Sequence, residues 1–104
     1  MERIKTLEQF DRITSDGKHI VVFWAEWCRD CIFIKPHLPM IEARFPEWNF
    51  SLIERDELIE LCKDLDIYGI PSFLAMIDGV VVQRFVSKNR KTVLEIEEFI
   101  QSIK

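Results

Sequence analysis

The apolar residues alternate between helical and extended spacing along the chain. Leu7, Phe10 and Ile13 recur every three residues within residues 6–15, which predicts a first helix. Residues 19–24 are nearly continuously apolar and rich in β-branched and aromatic side chains, as in a strand that is covered on both faces. We therefore expect a central strand soon after the first helix.

Two prolines interrupt the next helical pattern. Apolar residues run at helical spacing from Cys28 to Phe45, but Pro36 and Pro39 lie within this stretch. Proline removes a backbone hydrogen bond and clashes with the preceding turn, so the helix should be kinked or broken near Pro36. Residues 48–53 then change to a spacing of two, which predicts a mostly buried strand.

A β-hairpin is the clearest local signal in the second half of the chain. Asp78 and Gly79 separate two apolar runs, residues 72–77 and 80–86. Asp-Gly is a preferred two-residue turn because both positions require a positive φ angle. These runs should therefore pair as antiparallel strands.

Two further helices complete the predicted architecture. Apolar residues from Leu58 to Leu65 suggest a short helix that Asp56 opens, and residues 91–103 carry one apolar face, as in a closing amphipathic helix. Residues 3–4 suggest a short additional strand. This order of elements predicts an α/β fold with a mixed central β-sheet flanked by helices.

Length and charge limit the number of domains and the class of partner. A chain of 104 residues that is 48% hydrophobic has the size of one domain, so we expect a single domain over residues 1–104. The net charge of -4 offers no broad basic field, which disfavours nucleic acid as a partner. No apolar run approaches the roughly 20 residues that cross a bilayer, and the N-terminus lacks a secretory apolar stretch. We expect no membrane association and a cytoplasmic location.

The three cysteines are too few and too unevenly spaced for a disulfide framework. Cys28 and Cys31 are three residues apart, whereas Cys62 stands alone on an apolar helical stripe, as expected of a buried small hydrophobe. A close pair indicates a redox couple or half of a metal site. Zinc needs about four ligands, and only Cys62, His19 and His37 remain as soft donors, so we expect no metal and no cofactor.

The cysteine pair falls at the predicted strand-to-helix junction, which favours redox chemistry. The attacking species is a thiolate, and unpaired N–H groups at a helix N-terminus stabilise it at Cys28. Cys31 lies one turn further on and can resolve a mixed disulfide by closing a bond to Cys28. Arg29 favours a nearby thiolate and Asp30 disfavours it, so the reaction class is predicted but its preferred direction is not.

The segments around this pair resemble the thioredoxin family over nearly the whole chain. Val22-Phe23-Trp24-Ala25-Glu26-Trp27-Cys28 is similar to the strand and loop that lead into that family's active site. Pro36 matches the proline that kinks its active-site helix, and Tyr68-Gly69-Ile70-Pro71 matches its cis-proline loop. The resemblance implies a thioredoxin fold and a protein-disulfide reductase.

The resemblance also implies a substrate groove and partners. Trp27, Ile70 and Pro71 would frame an apolar groove, in which the backbone of Ile70 pairs with substrate as a short added strand. The implied partners are disulfide-containing proteins or small molecules and a recycling reductase. We expect the protein to act as a monomer.

Three departures from the family pattern bear on redox poise and substrate choice. Arg29-Asp30 replaces the usual Gly-Pro between the cysteines. Val22 replaces a buried carboxylate that assists proton transfer, and Leu52 replaces its lysine neighbour. Ser87 replaces a glycine beside the groove and is followed by a basic turn over residues 88–91, whose polar side chains have the potential to face substrate.

Two alternatives of other functional classes stay open. The groove around Ile70 and Pro71 could serve as a peptide- or protein-binding module in which the cysteines are regulatory or incidental. Alternatively, Cys28 and Cys31 of two chains could share a metal ion or an iron-sulfur cluster.

Overall fold

One sheet of five strands organises the chain, whose computed structural model describes residues 1–103. The strands are β1 (Glu2–Ile4), β2 (Lys18–Trp24), β3 (Asn49–Glu54), β4 (Ser72–Ile77) and β5 (Val80–Phe85). Their order across the sheet is β1-β3-β2-β4-β5. Strands β1, β3 and β2 run parallel, whereas β4 is antiparallel to β2 and β5 is antiparallel to β4. The predicted mixed sheet is confirmed.

Helices cover both faces of this sheet. In the described part of the chain they are α1 (Leu7–Thr14), α2 (Arg29–Ile34), α3 (Leu38–Arg44), α4 (Ile59–Asp64) and α5 (Val93–Gln101). Apolar residues of α1 and α4 join the core cluster on one face, and those of α3 and α5 join the cluster on the other. None of these helices is both long enough and apolar enough to cross a bilayer.

Strand β2 lies at the centre of both core clusters. Val21 and Phe23 pack into one cluster, whereas Ile20 and Val22 pack into the other, and all four side chains are fully buried. Burial of one such side chain contributes roughly 1.5–3 kcal/mol. The continuous apolar run therefore fixes the strand whose C-terminal end leads into the cysteine segment.

Pro36 separates two helices, as the sequence predicts. It lies in a single 3-10 turn, Lys35–His37, between α2 and α3. Because proline cannot donate the hydrogen bond that a continuous helix requires, α2 is limited to six residues. Helix α2 therefore has only about one and a half turns, and Cys31 lies in the first of them.

The hairpin between β4 and β5 turns at the two predicted residues. Asp78 has a φ of 49° and Gly79 a φ of 85°, the left-handed conformations that suit a two-residue turn. Asp78 Oδ1 also accepts a hydrogen bond of 2.8 Å from the backbone N–H of Gly17. This hairpin brings the chain back to the cysteines at the end of β5.

Two predicted helix starts are wrong. Helix α4 begins at Ile59 and not near Asp56, which lies in the preceding 3-10 turn Arg55–Glu57, where its carboxylate bonds Trp27 instead of capping the helix. Helix α5 begins at Val93, after a capping box formed by Thr92 and Glu95, and not at residue 91.

Candidate active site

Cys28 lies where β2 gives way to α2. It is the N-cap residue of α2, with an extended backbone, and its Sγ accepts a hydrogen bond of 3.2 Å from the backbone N–H of Cys31. Donation from an N–H group favours negative charge on sulfur, as at other helix caps. The start of α2 therefore places one sulfur where it can exist as a thiolate.

Cys31 lies one turn further along α2 in a different environment. Its side chain is 1% exposed, against 8% for Cys28, and both thiols are reduced. Burial, followed by the hydrogen bond with the Cys28 thiol, raises the pKa of Cys31 to about 12. The two sulfurs are thus chemically unequal, since Cys31 stays a neutral thiol at neutral pH.

The loop before β4 faces the Cys28 sulfur. The Ile70-Pro71 peptide bond is cis, as the sequence resemblance implies. The Cys28 thiol donates a weak hydrogen bond of 3.8 Å to the carbonyl of Ile70. The structure therefore brings Cys28, Ile70 and Pro71 together, although they come from segments 42 residues apart.

The two tryptophans near the cysteines differ in exposure. Trp24 is 7% exposed and belongs to the core, whereas Trp27 is 60% exposed beside Cys28. The Trp27 indole N–H donates a hydrogen bond of 2.7 Å to Asp56 Oδ2. The Arg55 guanidinium lies 5.0 Å from the Trp27 ring centroid and bonds Asp56 at 3.1 Å. These contacts fix the indole at the edge of the site.

Sequence reasoning missed the role of Asp56 in this contact. An acidic residue after a strand and before an apolar helical stripe looks like a helix cap, and its tertiary partner lies 29 residues away. The hydrogen bond from Trp27, together with the bond from Arg55, lowers the pKa of Asp56. This carboxylate is therefore held ionised beside the indole.

The two residues between the cysteines have different surroundings, since one side chain faces solvent and the other contacts the loop after β5. Arg29 is exposed, whereas Asp30 Oδ1 accepts a hydrogen bond of 2.8 Å from Arg90 Nε. The Arg90 guanidinium also lies 4.5 Å from the centroid of the Phe33 ring. Asp30 is thus paired with a cation of the basic turn and is not left as a lone charge beside the thiols.

Lys91 of the same turn is buried, which the sequence did not indicate. Only 1% of it is exposed, and its ammonium group donates hydrogen bonds of 3.1 Å to the Ser87 carbonyl and 2.9 Å to the Asn89 carbonyl. Burial lowers the pKa of Lys91, while the charge of Asp30 opposes that shift. Lys91 therefore does not share the substrate-facing potential of the basic turn and instead stabilises the turn from within.

The positions of the two missing family residues are apolar. Val22 is fully buried and pairs in register with Leu52 on the neighbouring strand. Neither side chain can accept or donate a proton, so this part of the core supplies no proton route to Cys31.

The remaining soft donors have other surroundings and contacts. Cys62 is buried in α4, where burial raises its pKa to about 11. His19 bonds the Asp16 carbonyl through Nε2, and His37 is exposed. Within residues 1–103, no three His, Cys, Asp or Glu side chains are grouped so as to hold a metal ion.

Comparison with known sequences identifies thioredoxins as relatives of this chain. The sequence profile of the Thioredoxin family matches residues 3–102. The chain is 31% identical to the thioredoxin of Chlamydia pneumoniae over 94 residues, which cover 90% of this chain and 92% of that protein. It is 30% identical to an H-type thioredoxin of Fagopyrum esculentum over 88 residues, or 84% of this chain and 76% of that protein.

Solved structures of thioredoxins have the same fold. A poplar thioredoxin h superposes with a TM-score of 0.85 and 26% identity, covering 97% of this chain and 93% of that one. The oxidised form of mitochondrial thioredoxin 3 from Saccharomyces cerevisiae also gives 0.85, at 22% identity, with 99% and 95% covered. The predicted fold is confirmed.

Acid titration should expose the contact between Trp27 and Asp56. Because the pKa of Asp56 is lowered, the Trp27 indole N–H resonance should titrate with a midpoint below the ordinary aspartate value of about 3.9. Any stabilisation from this carboxylate is present above that ordinary value and is lost as pH falls through the lower folded-state value. NMR spectroscopy of the three indole N–H groups measures this.

The other tryptophans and one substitution serve as controls. The Trp24 and Trp48 resonances should not follow the same titration, and Asp56→Asn should abolish it for Trp27. A Trp27 midpoint at or above the ordinary value would contradict the contact.

Proposed function

We propose that this chain, which belongs to the thioredoxin family and is a thiol-disulfide oxidoreductase, uses Cys28 to attack disulfides and Cys31 to resolve them. The Cys28 thiolate attacks one sulfur of the substrate disulfide, forms a mixed disulfide and releases the other substrate sulfur as a thiolate. Cys31, on losing its proton, attacks Cys28 and closes the internal disulfide. The substrate sulfur that was bound to Cys28 leaves as a thiolate. The substrate has then gained two electrons, and the cysteine pair has lost them.

The observation that carries this assignment is the asymmetry of the two sulfurs. Cys28 Sγ accepts a backbone hydrogen bond at the start of α2 and faces the Ile70 carbonyl, whereas Cys31 is buried and protonated. A thiolate is the better nucleophile, and the less buried sulfur is the one that a substrate reaches. Both properties favour Cys28 for the first step.

The first step itself prepares Cys31 for the second. Beyond burial, which is the largest cause, Cys28 raises the pKa of Cys31 through a hydrogen bond and, as a thiolate, through its negative charge. In the mixed disulfide, Cys28 carries neither a thiol proton nor a negative charge, so both contributions vanish. Cys31 then loses its proton more readily, which compensates in part for the apolar Val22 and Leu52.

We infer that peptide substrates bind beside Cys28, between Trp27 and the loop of Ile70 and Pro71. Trp27 is largely exposed on one side, and Ile70 and Pro71 form the loop that faces the sulfur. An extended substrate can pair with the backbone of Ile70 while its disulfide meets Cys28. Thioredoxins act on disulfide substrates and are recycled by reductases, and we infer that a protein disulfide and a separate reductase serve this chain.

We further infer that residues 1–104 work as one monomeric domain in the cytoplasm, without nucleic acid or membrane partners. The family profile extends over nearly the whole chain, and β2 contributes residues to both core clusters. The net charge of -4 opposes binding to phosphate backbones. A reductant of this class also needs surroundings that keep its cysteines reduced.

Alkylation at neutral pH should separate the three thiols. With limiting iodoacetamide at pH 7, Cys28 should be modified first, because burial holds the pKa of Cys31 near about 12 and that of Cys62 near about 11. Modification of the latter two should rise only at strongly alkaline pH. Peptide mass spectrometry measures this, and urea-unfolded protein, in which all three react alike, is the control. Equal rates for Cys28 and Cys31 in the folded protein would contradict the assignment.

Insulin reduction with dithiothreitol tests the activity. Cys28→Ser should reduce the rate to the uncatalysed background, because it removes the attacking sulfur. Cys62→Ser, which removes a buried thiol outside the site, should retain the rate and is the matched control. An unchanged rate in Cys28→Ser would exclude this mechanism, and a partner retained by the double Cys28→Ser, Cys31→Ser variant would favour a binding module.

A further inference from the structure

An ion pair links the dipeptide between the cysteines to the loop after β5. Arg90 Nε lies 2.8 Å from Asp30 Oδ1, across 60 residues of sequence. The Asp30 side chain is 30% exposed and that of Arg90 is 52% exposed, so the pair is partly shielded from water. The Arg90 guanidinium also rests on the Phe33 ring, which belongs to the same helix as Asp30.

The loop that carries Arg90 is held in place from two sides. The buried Lys91 ammonium group binds the carbonyls of Ser87 and Asn89. The Ser87 backbone also packs against Gly69, where any Cβ would collide with the Ser87 carbonyl. These contacts hold the loop beside the cis-proline segment and so direct Arg90 toward Asp30.

The charge of Asp30 acts on the Cys31 thiol, where burial is the largest cause of the raised pKa. Asp30 is among the groups that raise the pKa of Cys31, and it follows Cys28 by two residues. A carboxylate there disfavours a thiolate, whereas a cation paired with it offsets that effect. The balance matters because only the reduced pair can carry a negative charge, as a thiolate, whereas the disulfide carries none.

We propose that Arg90 is a positioning residue that sets the redox equilibrium of Cys28 and Cys31 by neutralising Asp30. This inference rests on the proposed function, since it concerns the same cysteine couple. Reduction adds two electrons and two protons to the disulfide, and a thiolate can form only in the reduced pair. A cation at Asp30 stabilises that ionised product, so Arg90 shifts the equilibrium toward the reduced form.

The equilibrium with glutathione at pH 7 measures this effect. Arg90→Gln should shift the constant toward the disulfide by about two- to fivefold, the size expected for a half-exposed ion pair. Asp30→Asn should shift it toward the dithiol. In the Asp30→Asn background, Arg90→Gln should have a smaller effect, because the partner through which Arg90 acts is absent.

Two further variants are informative. One keeps the positive charge at residue 90, and the other removes an ion-paired arginine elsewhere on the surface. Arg90→Lys keeps the cation and should stay closer to the wild-type equilibrium than Arg90→Gln does. Arg44→Gln removes a surface ion pair of 2.6 Å with Glu97 and should leave the equilibrium unchanged. The Arg44 variant is the matched control for loss of an ion-paired arginine.

The outcomes distinguish this inference from the proposed function. If the wild-type cysteines do not exchange with glutathione at all, the proposed function fails. If they exchange and Arg90→Gln has the wild-type constant, only the role of Arg90 is overturned. An equal shift from Arg90→Gln with and without Asp30 would also overturn it, since Arg90 would then not act through that carboxylate.

Discussion

The hydrogen bond from the Cys31 N–H group to the Cys28 sulfur is the contact on which the site depends. It exists because α2 begins directly after Cys28, at the end of a loop that follows a largely buried strand. The same short helix carries Cys31 into the core, one turn away. One local geometry therefore gives one cysteine a stabilising donor and the other a burial that keeps it protonated.

Three loops from distant parts of the chain complete this geometry. The turn after β3 holds the Trp27 indole through Asp56, the loop before β4 presents Ile70 and Pro71, and the loop after β5 reaches the dipeptide between the cysteines. Each loop follows or precedes a strand of the same sheet, so the sheet sets their separation. The contacts of Trp27 with Asp56 and of Asp30 with Arg90 each join two segments that are distant in the sequence.

Much of the fold could be predicted from the sequence, because its signals are local. The apolar run of β2, the helix break at Pro36 and the turn at Asp78 and Gly79 each depend on neighbouring residues, and each is found as predicted. The cysteine pair was found through its spacing and its position before a helix. Resemblance to a family added the cis bond before Pro71, which no periodicity indicates.

The missed features depend on contacts between distant residues. Asp56 has the sequence signature of a helix cap, but its carboxylate bonds an indole from another segment. Lysine is almost never fully buried, so nothing in the sequence suggests that Lys91 bonds backbone carbonyls inside the turn. The pairing of Asp30 with Arg90 likewise appears only once the fold brings the two loops together.

The division of labour between the two cysteines is the central claim, and trapping of the mixed disulfide tests it most directly. In Cys31→Ser, a disulfide substrate should remain covalently attached through Cys28, because no second thiol is at hand to release it. Mass spectrometry of the digested adduct locates the bond. Substrate is expected on Cys28 in Cys31→Ser, and little or none on Cys31 in Cys28→Ser. Equally fast attachment to Cys31 in Cys28→Ser would contradict this division of labour.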